Sequence, residues 1–342
     1  MPVTASDVAR KLGVSRQSVS KVLVGGKTNI RVSDDLARRI RTVADEMGYR
    51  PSMAARMIST GRTGSIDLLM SHLAGSSRLS PAMIRGIHAD LAGHDIQLTV
   101  SQLPDMGLTK PDQMPKILRE RSADGLLINF THHVPDALPE LLDKRGIPAV
   151  WMNTKQGRHC VYADEVDAYD RATQHLVKLG HRKIAFYIGA VAGHFSETDR
   201  AAGYSAAMER AGLTPVVHQA GAPEHADPDY DDRQDRAVAF LQSDDRPTAV
   251  LAYSSADAVV LSLAAARLGY ALGQELSLVG LGDEESSVTG ASMTQVVLPQ
   301  DELGRAGVRR LLRIIETPAQ ESPDRLVKAD LFIGRSTGPV IT

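Results

Sequence analysis

Hydrophobic positions in the first fifty residues recur at three- and four-residue spacing. Val8, Ala9 and Leu12 share one face of a helix reading from Thr4 to Leu12. Thr4 fits as its cap, with Asp7 at the capping-box position. Gly13-Val14-Ser15 predicts a tight turn, in which Gly13 closes the first helix and Ser15 caps a second from Arg16 to about Val24. That second helix would bury Val19, Val22 and Leu23. A third is expected after Ser33, with Asp34 and Asp35 in its positive first turn. Leu36, Ile40, Val43 and Met47 follow at helical spacing, and Gly48 stops it. Two short helices about a glycine turn, closed by a third, make a helix-turn-helix bundle.

From Ile66 the pattern changes to short apolar runs alternating with longer amphipathic ones. Strands are predicted at Ile66–Met70, Ile96–Val100, Gly125–Ile128 and Ala149–Met152, with helices at Pro81–Gly93, Pro111–Ser122 and Pro135–Arg145. Proline favours the first helical position, where each of these helices begins. A second series has strands Ile184–Ile188, Pro215–His218, Ala249–Ala252 and Leu276–Leu281, and helices Asp199–Ala211, Asp231–Gln242 and Ala256–Leu268. Gly180, Gly212 and Gly269 read as glycines just past helix ends. Such alternation implies parallel sheets covered by helices on both faces. Two series imply two α/β subdomains, with a ligand cleft at the strand carboxyl ends. The last helix, Asp301–Thr317, carries Leu303, Val308, Leu311, Leu312 and Ile315, more apolar residues than one face needs. It reads either as part of a subunit interface or as simple packing on a sheet.

Between bundle and body lies Tyr49-Arg50-Pro51-Ser52-Met53-Ala54-Ala55-Arg56-Met57-Ile58. It is helix-competent, but an isolated helix this short is unstable in water and needs something to pack on. Ser59-Thr60-Gly61-Arg62-Thr63-Gly64 reads as a flexible linker. The expected units are therefore 1–50, 51–64 and 65–342.

Charge sharpens this division. Residues 1–64 hold 12 Lys/Arg against 5 Asp/Glu, a local +7, while the remainder holds 27 against 36, a local −9. A basic module on an acidic body suggests nucleic acid bound at one end only. Arg16, Gln17, Ser18 and Lys21 avoid the buried face of the second helix. A recognition helix offers its N-terminal residues to base edges, where Arg pairs with guanine, Gln with adenine, and Lys with guanine or phosphate.

The run Asp7-Val8-Ala9, Gly13-Val14-Ser15, Ser18-Val19-Ser20-Lys21-Val22, Val32-Ser33, Gly48-Tyr49 and Pro51 resembles the LacI/GalR family of bacterial repressors. More loosely, so do Leu179-Gly180-His181-Arg182-Lys183-Ile184-Ala185, Arg200-Ala201-Ala202-Gly203-Tyr204 and Ser277-Leu278-Val279-Gly280. The resemblance implies a helix-turn-helix headpiece ahead of a two-subdomain α/β effector domain similar to periplasmic sugar-binding proteins. It implies that Arg16, Gln17 and Lys21 read the major groove and that Ser52 to Ile58 is a hinge helix folding on DNA. In that family a leucine at the position of Ile58 wedges into the minor groove. The full set of candidate DNA contacts is Thr4, Ser15, Arg16, Gln17, Ser18, Ser20, Lys21, Asn29, Arg31, Tyr49, Ser52, Ala55, Arg56 and Ile58. Candidate effector contacts are His72, Asn129, His132, Asn153, Phe195, Arg200, Tyr253 and Asp283, with Arg200 foremost for its planar fork of donors.

The sequence also departs from the family. Gly282 stands where the family often has a hydroxyl-gripping Asp, Ser254-Ser255 replaces Asn-Asp, and Asp164-Glu165 replaces Asp-Asn. Acidic grips are thinned, so two effector classes stay open: a sugar or sugar derivative, or a ligand needing fewer acidic contacts. The expected partners are operator DNA, a small molecule and a second copy of the chain, with a tetramer left open.

Other chemistry finds little support. No Gly-rich phosphate loop, HExxH, Cys/His cluster or Gly-x-Ser-x-Gly elbow is present, so no cofactor, metal or enzymatic activity is expected. A pure periplasmic-type binding protein and a carbohydrate-active α/β enzyme are the alternatives; the headpiece argues against the first and the missing catalytic constellation against the second. Met1 to Arg10 has no apolar run of signal-peptide type. The most apolar stretch, Val250 to Leu272, is interrupted by Ser254, Ser255, Asp257 and Arg267, and Cys160 is the sole cysteine. A cytoplasmic protein with no membrane span is therefore expected.

Overall fold

The computed structural model describes residues 3–25, 29–72, 77, 79–103, 114–131, 134–155, 158–190, 193–221, 230–283, 292–318 and 323–340. Its first three helices are α1 (Ala5–Leu12), α2 (Arg16–Leu23) and α3 (Asp34–Glu46). Local chemistry closes each of them. Thr4 and Asp7 form a reciprocal capping box on α1, which ends on Gly13 at φ 67°. Ser15 accepts from the Ser18 amide at 3.0 Å and Ser33 from the Leu36 amide at 3.3 Å. Val8, Ala9, Val19, Ile40 and Ala44 form the buried centre, ringed by Leu12, Val22, Leu23, Leu36, Val43, Met47 and Tyr49.

A fourth helix, α4 (Met53–Thr60), is capped by Ser52, which accepts from the Ala55 amide at 3.1 Å, and ends on Gly61 at φ 73°. It contacts the chain on both sides. Ser59 donates to the Gly25 carbonyl at 2.8 Å, and Arg56 pairs with Asp95 at 3.4 Å. The expected flexible linker is corrected here. Ser59 and Thr60 are helical, and Asp124 accepts from the Thr63 amide at 2.8 Å and the Gly64 amide at 2.9 Å. A buried carboxylate thus pins the chain where it enters the body.

In the body follow β1 (Ser65–Ser71), α5 (Pro81–Ala92), β2 (Gln97–Leu103), α6 (Lys116–Arg119), β3 (Gly125–Asn129), α7 (Ala137–Arg145), β4 (Ala149–Met152) and β5 (Cys160–Ala163). The chain continues through α8 (Glu165–Lys178), β6 (Ile184–Ile188), α9 (Phe195–Arg210), β7 (Val216–Gln219), α10 (Tyr230–Gln242), β8 (Ala249–Ala252), α11 (Ser255–Arg267), β9 (Ser277–Gly282) and β10 (Thr294–Val297). It closes with α12 (Gln300–Glu316), β11 (Arg325–Val327) and β12 (Asp330–Phe332). One sheet has the order β11-β5-β4-β3-β1-β2 and the other β12-β10-β9-β8-β6-β7. All pairings are parallel except β10 with β12. These sheets are the centres of an amino-terminal and a carboxyl-terminal lobe.

The chain passes between the lobes at three places, after β5, after β10 and after β11. These crossings make the lobes a hinged pair rather than beads on a string. The longest helix, α12, returns to the amino-terminal lobe and packs on α5, β3, β4 and β5. Its apolar surplus packs between the sheet and α5. The approach is close because Gly86 and Gly304 face it: a Cβ on Gly86 would overlap the Asp301 carbonyl, and one on Gly304 the Met83 carbonyl.

Several predicted boundaries are corrected. The helix expected at Pro111–Ser122 is the single turn α6, and 104–113 lies outside the described residues. Helix α9 starts at Phe195 rather than Asp199, because His194 caps it. The hydrophobic pattern does not delimit α8, whose buried face includes the small residues Ala168, Ala172 and Thr173. Strands β11 and β12 are three residues long, too short for a legible pattern, and the pattern also leaves the four-residue β5 and β10 unmarked, β10 because its buried positions include Thr294 and Gln295. Among the described residues no helix is long and apolar enough to cross a membrane.

Candidate functional site

Helix α2 separates structure from display. Val19 is buried, while Arg16 and Gln17 are exposed in the first turn and Lys21 is half-buried one turn on. Ser18 is partly committed to the cap, its hydroxyl 2.9 Å from that of Ser15. Thr4, Ser15, Asn29 and Arg31 are exposed, Ser20 is half-buried, and Tyr49 packs against the bundle core. On α4, Ile58 is 89% exposed, the most exposed large hydrophobic side chain among the described residues. Ser52 and Ala55 form the cap bond of that helix, and Arg56 reaches back to Asp95.

Between the lobes a pocket of about 240 Å³ is lined by Thr131, Asn153, His194, Ser196, Arg200, Arg233, Tyr253, Asp257 and Gln300, among others. Tyr253 follows β8, Asn153 follows β4 and Thr131 lies just beyond β3, so the pocket sits at strand carboxyl ends. A larger groove of about 790 Å³ runs along β7 and α10 on the outside of the carboxyl-terminal lobe. The smaller cleft is the better candidate, because polar groups converge on it from both lobes.

Arg200 is fixed on the cleft floor. It is 5% exposed, its Nε and Nη2 donate to the two oxygens of Glu165 at 2.9 Å each, and Nη1 donates to the Tyr253 carbonyl. Its guanidinium carbon lies 4.8 Å from the Tyr253 ring centre and 5.5 Å from that of Tyr169. Burial alone would lower the arginine pKa, but Glu165 beside it holds it above its ordinary value. Burial likewise raises Tyr253 and Tyr169 above the usual phenol range. Glu165 is a partner the sequence did not offer, since it lies 35 positions away on a helix the pattern left undelimited.

A relay joins the lobes over this floor. His194 Nε2 donates to the Asn153 carbonyl at 2.9 Å, which leaves Nδ1 to accept from the Ser196 hydroxyl at 2.7 Å. Ser196 can then accept from the Tyr253 hydroxyl at 3.1 Å. Neither His194 nor Ser196 stands out in the sequence, where only Phe195 between them is singled out. At the rim Lys155 pairs with Asp199 and lies 5.1 Å from the Phe195 ring centre and 5.2 Å from that of Tyr162.

The structure therefore brings Asn153, Arg200 and Tyr253 together in the cleft. Four other candidates do not line it. His72 Nδ1 is 3.0 Å from the Leu103 carbonyl, and Asn129 is buried at the end of β3. Phe195 packs on Tyr162 with ring centres 5.5 Å apart, and Asp283 accepts from Gln300 at 3.1 Å. His132 lies outside the described residues. Cys160 is buried and its thiol is pushed up to about 12, so it is inert as a nucleophile.

Residues 4–52 match the family of bacterial regulatory proteins, lacI family, and residues 173–337 match a periplasmic binding protein-like domain. The chain is 27% identical to the HTH-type transcriptional regulator PtxS of Pseudomonas aeruginosa, over 98% of this chain and 96% of that one. It is 25% identical to catabolite control protein A of Priestia megaterium, over 94% and 95%. In fold it is similar to the lac repressor dimer bound to operator and the anti-inducer ONPF, with TM-score 0.77 at 23% identity over 99% of this chain and 100% of that one. The CelR–cellobiose complex is similar at TM-score 0.66 and 23% identity, over 98% and 99%. Headpiece, two-lobed body and relatives agree, and the chain belongs to the LacI family of bacterial transcriptional regulators.

Proposed function

We propose that this chain represses transcription by binding a palindromic operator as a homodimer in the cytoplasm, under control of a small molecule held between its lobes. One headpiece spans only a half-site, so twofold pairing supplies the second. Arg16, Gln17 and Lys21 of α2 read base edges, while Thr4, Ser15, Ser18, Ser20, Asn29, Arg31, Tyr49, Ser52, Ala55 and Arg56 hold backbone register. Ile58 opens the minor groove at the centre. Asn153 and Tyr253 contact the effector, and Arg200, its fork closed on Glu165 and the Tyr253 carbonyl, holds the cleft floor beneath it.

The observation that carries this reading is Ile58, 89% exposed on α4 between the headpiece and the two-lobed body. A bare apolar side chain at that junction has a use if DNA covers it. Helix α4 is also tied to both neighbours, through Ser59 to Gly25 and through Arg56 to Asp95, so a change in lobe angle reaches it. An effector acts only through its differential affinity for the two lobe arrangements.

Selection of bound genomic fragments by the purified protein, at stated salt, tests the DNA half. A recovered palindrome is the expected result; weak, salt-sensitive binding without sequence preference would sink it. Titrating the selected operator complex with candidate small molecules tests the other half, and the direction of the change separates inducer from co-repressor.

A further inference from the structure

Among the described residues, two buried polar atoms of the cleft have no hydrogen-bond partner. The first is Oε1 of Gln300, whose side chain sits at the crossing after β10 and is 6% exposed. Its Nε2 donates to Asp283 at 3.1 Å. A carboxylate only accepts, so the amide nitrogen must face Asp283 and the carbonyl oxygen must point elsewhere. The second is Nε of Arg233 on α10. Among the described residues no carboxylate pairs with that guanidinium. Nearby Asp257 feels the charge of Arg233 without a direct bond to it, and its carboxylate already accepts from the Ser254 amide at 3.2 Å in the α11 cap and from the Gly189 amide. Arg200 offers no alternative, since its fork is closed on Glu165.

We propose that the effector is an anionic polyol, carrying a carboxylate or phosphate that pairs with Arg233 and a hydroxyl that donates to Gln300 Oε1. This rests on the reading of the cleft as the sensor site. Each group supplies what its protein atom lacks. An anion accepts from a planar guanidinium fork in charge-assisted bonds, and a hydroxyl donates to a carbonyl that faces no other donor. The two atoms belong to α10 in the carboxyl-terminal lobe and to the crossing into α12, so one ligand touching both reports the lobe angle. A pocket of about 240 Å³ falls below the ~300–1,000 Å³ of sites for drug-sized ligands, which fits a small compound.

Calorimetric titration of the full-length protein with neutral hexoses, their aldonates and uronates, and their 6-phosphates tests this. The expected result is binding of an acid or a phosphate at least about tenfold tighter than the neutral sugar of the same skeleton. Which of the two binds identifies the anion. Arg233→Gln should abolish that preference, and Arg233→Lys should keep part of it; the position is half-exposed on α10, so the helix tolerates either change. Neutral hexoses binding as tightly as the anions, or a preference that survives Arg233→Gln, overturns the anionic assignment and leaves the cleft sensor standing. If no compound of the set binds or alters operator affinity, the sensor reading falls and this inference with it.

Discussion

The headpiece and the carboxyl-terminal lobe are stabilised in opposite ways. Among its described residues the headpiece buries five apolar side chains and no charged one, and closes its helices with hydroxyl caps. Its polar residues point outward, on the far side of the same helices that carry the core. The carboxyl-terminal lobe instead buries Glu165, His181, Arg200 and Asp257, each held by hydrogen bonds. In the first region the exposed Arg16 and Gln17 stand apart from the buried residues that hold the fold. In the second, display and packing fall on the same residues, because Arg200 and Tyr253 line the cleft and also lock α8, α9 and β8 together. Substitutions should therefore separate function from stability in the headpiece and couple them in the lobe.

Glu165→Gln is the strongest test. It removes the charge that neutralises Arg200 in a site 5% exposed, and breaking a buried pair costs about 3–5 kcal/mol. The body's thermal transition should drop sharply while the headpiece, followed as an isolated early transition, stays put. An unchanged body transition would mean that solvent reaches the guanidinium and the lobe is no more rigid than the headpiece. The counterpart is Ile40→Ala, which empties the centre of the bundle and costs about 2–5 kcal/mol there. Because that core is small, calorimetry should show the headpiece melting at assay temperature and the body unaffected. Loss of both transitions together would show that the two units do not fold independently.

The same contrast explains what could be read from the sequence. The headpiece is legible because its periodicity is local: Val8, Ala9 and Leu12 define α1 without reference to anything beyond α3, and Ser15 and Ser33 announce their helices. The alternation of the body gives two α/β lobes for the same reason. What escapes is non-local. The partner of Arg200 sits on α8, whose buried face sets only Tyr169 and Leu176 as large apolar residues among Ala168, Ala172, Thr173 and Glu165 itself, a pattern that does not delimit the helix. Strand β10 buries Thr294 and Gln295, so it does not look like a core strand, and β11 and β12 exist only because the chain returns across the hinge. The cleft is half legible for the same reason: Asn153 and Tyr253 follow predicted strands, whereas Gln300, at the first position of α12, reaches the cleft only because the chain crosses between the lobes there.

A smaller effect is expected from Arg16→Ala. The side chain is exposed, so neither thermal transition should move. Operator affinity should fall by roughly 1–3 kcal/mol with relaxed preference at one base pair, read by quantitative gel shift against a panel of single-base operator variants. An equal loss on random DNA would assign Arg16 to phosphate and weaken the claim that α2 separates base reading from packing.

The smallest effect distinguishes the regions by pH. His175, His181 and His218 of the carboxyl-terminal lobe all have pKa values lowered from about 6.5, in each case chiefly because burial disfavours the charged ring. His181 illustrates the geometry: Nε2 donates to the Gly338 carbonyl at 3.0 Å and Nδ1 lies 2.9 Å from the Thr248 hydroxyl, so the neutral ring is satisfied on both sides. The unfolded chain takes up a proton near pH 6.5, while the folded lobe resists until a lower pH. Between those values the unfolded state binds more protons, so stability rises with pH, is complete above about 6.5 and is lost as pH falls below it. Each ring contributes no more than about 1.4 kcal/mol per pH unit. Residues 1–64 contain none of the eleven histidines. Lowering the pH from 7.5 to 5.5 should therefore shift the body's calorimetric transition downward and leave the headpiece transition where it was. His181→Gln should flatten the body's dependence even if it lowers the transition itself. A headpiece transition falling in parallel would show that acid acts through something common to both regions, and the contrast between a lobe built on buried polar groups and a headpiece built on apolar ones would lose its sharpest measurable consequence.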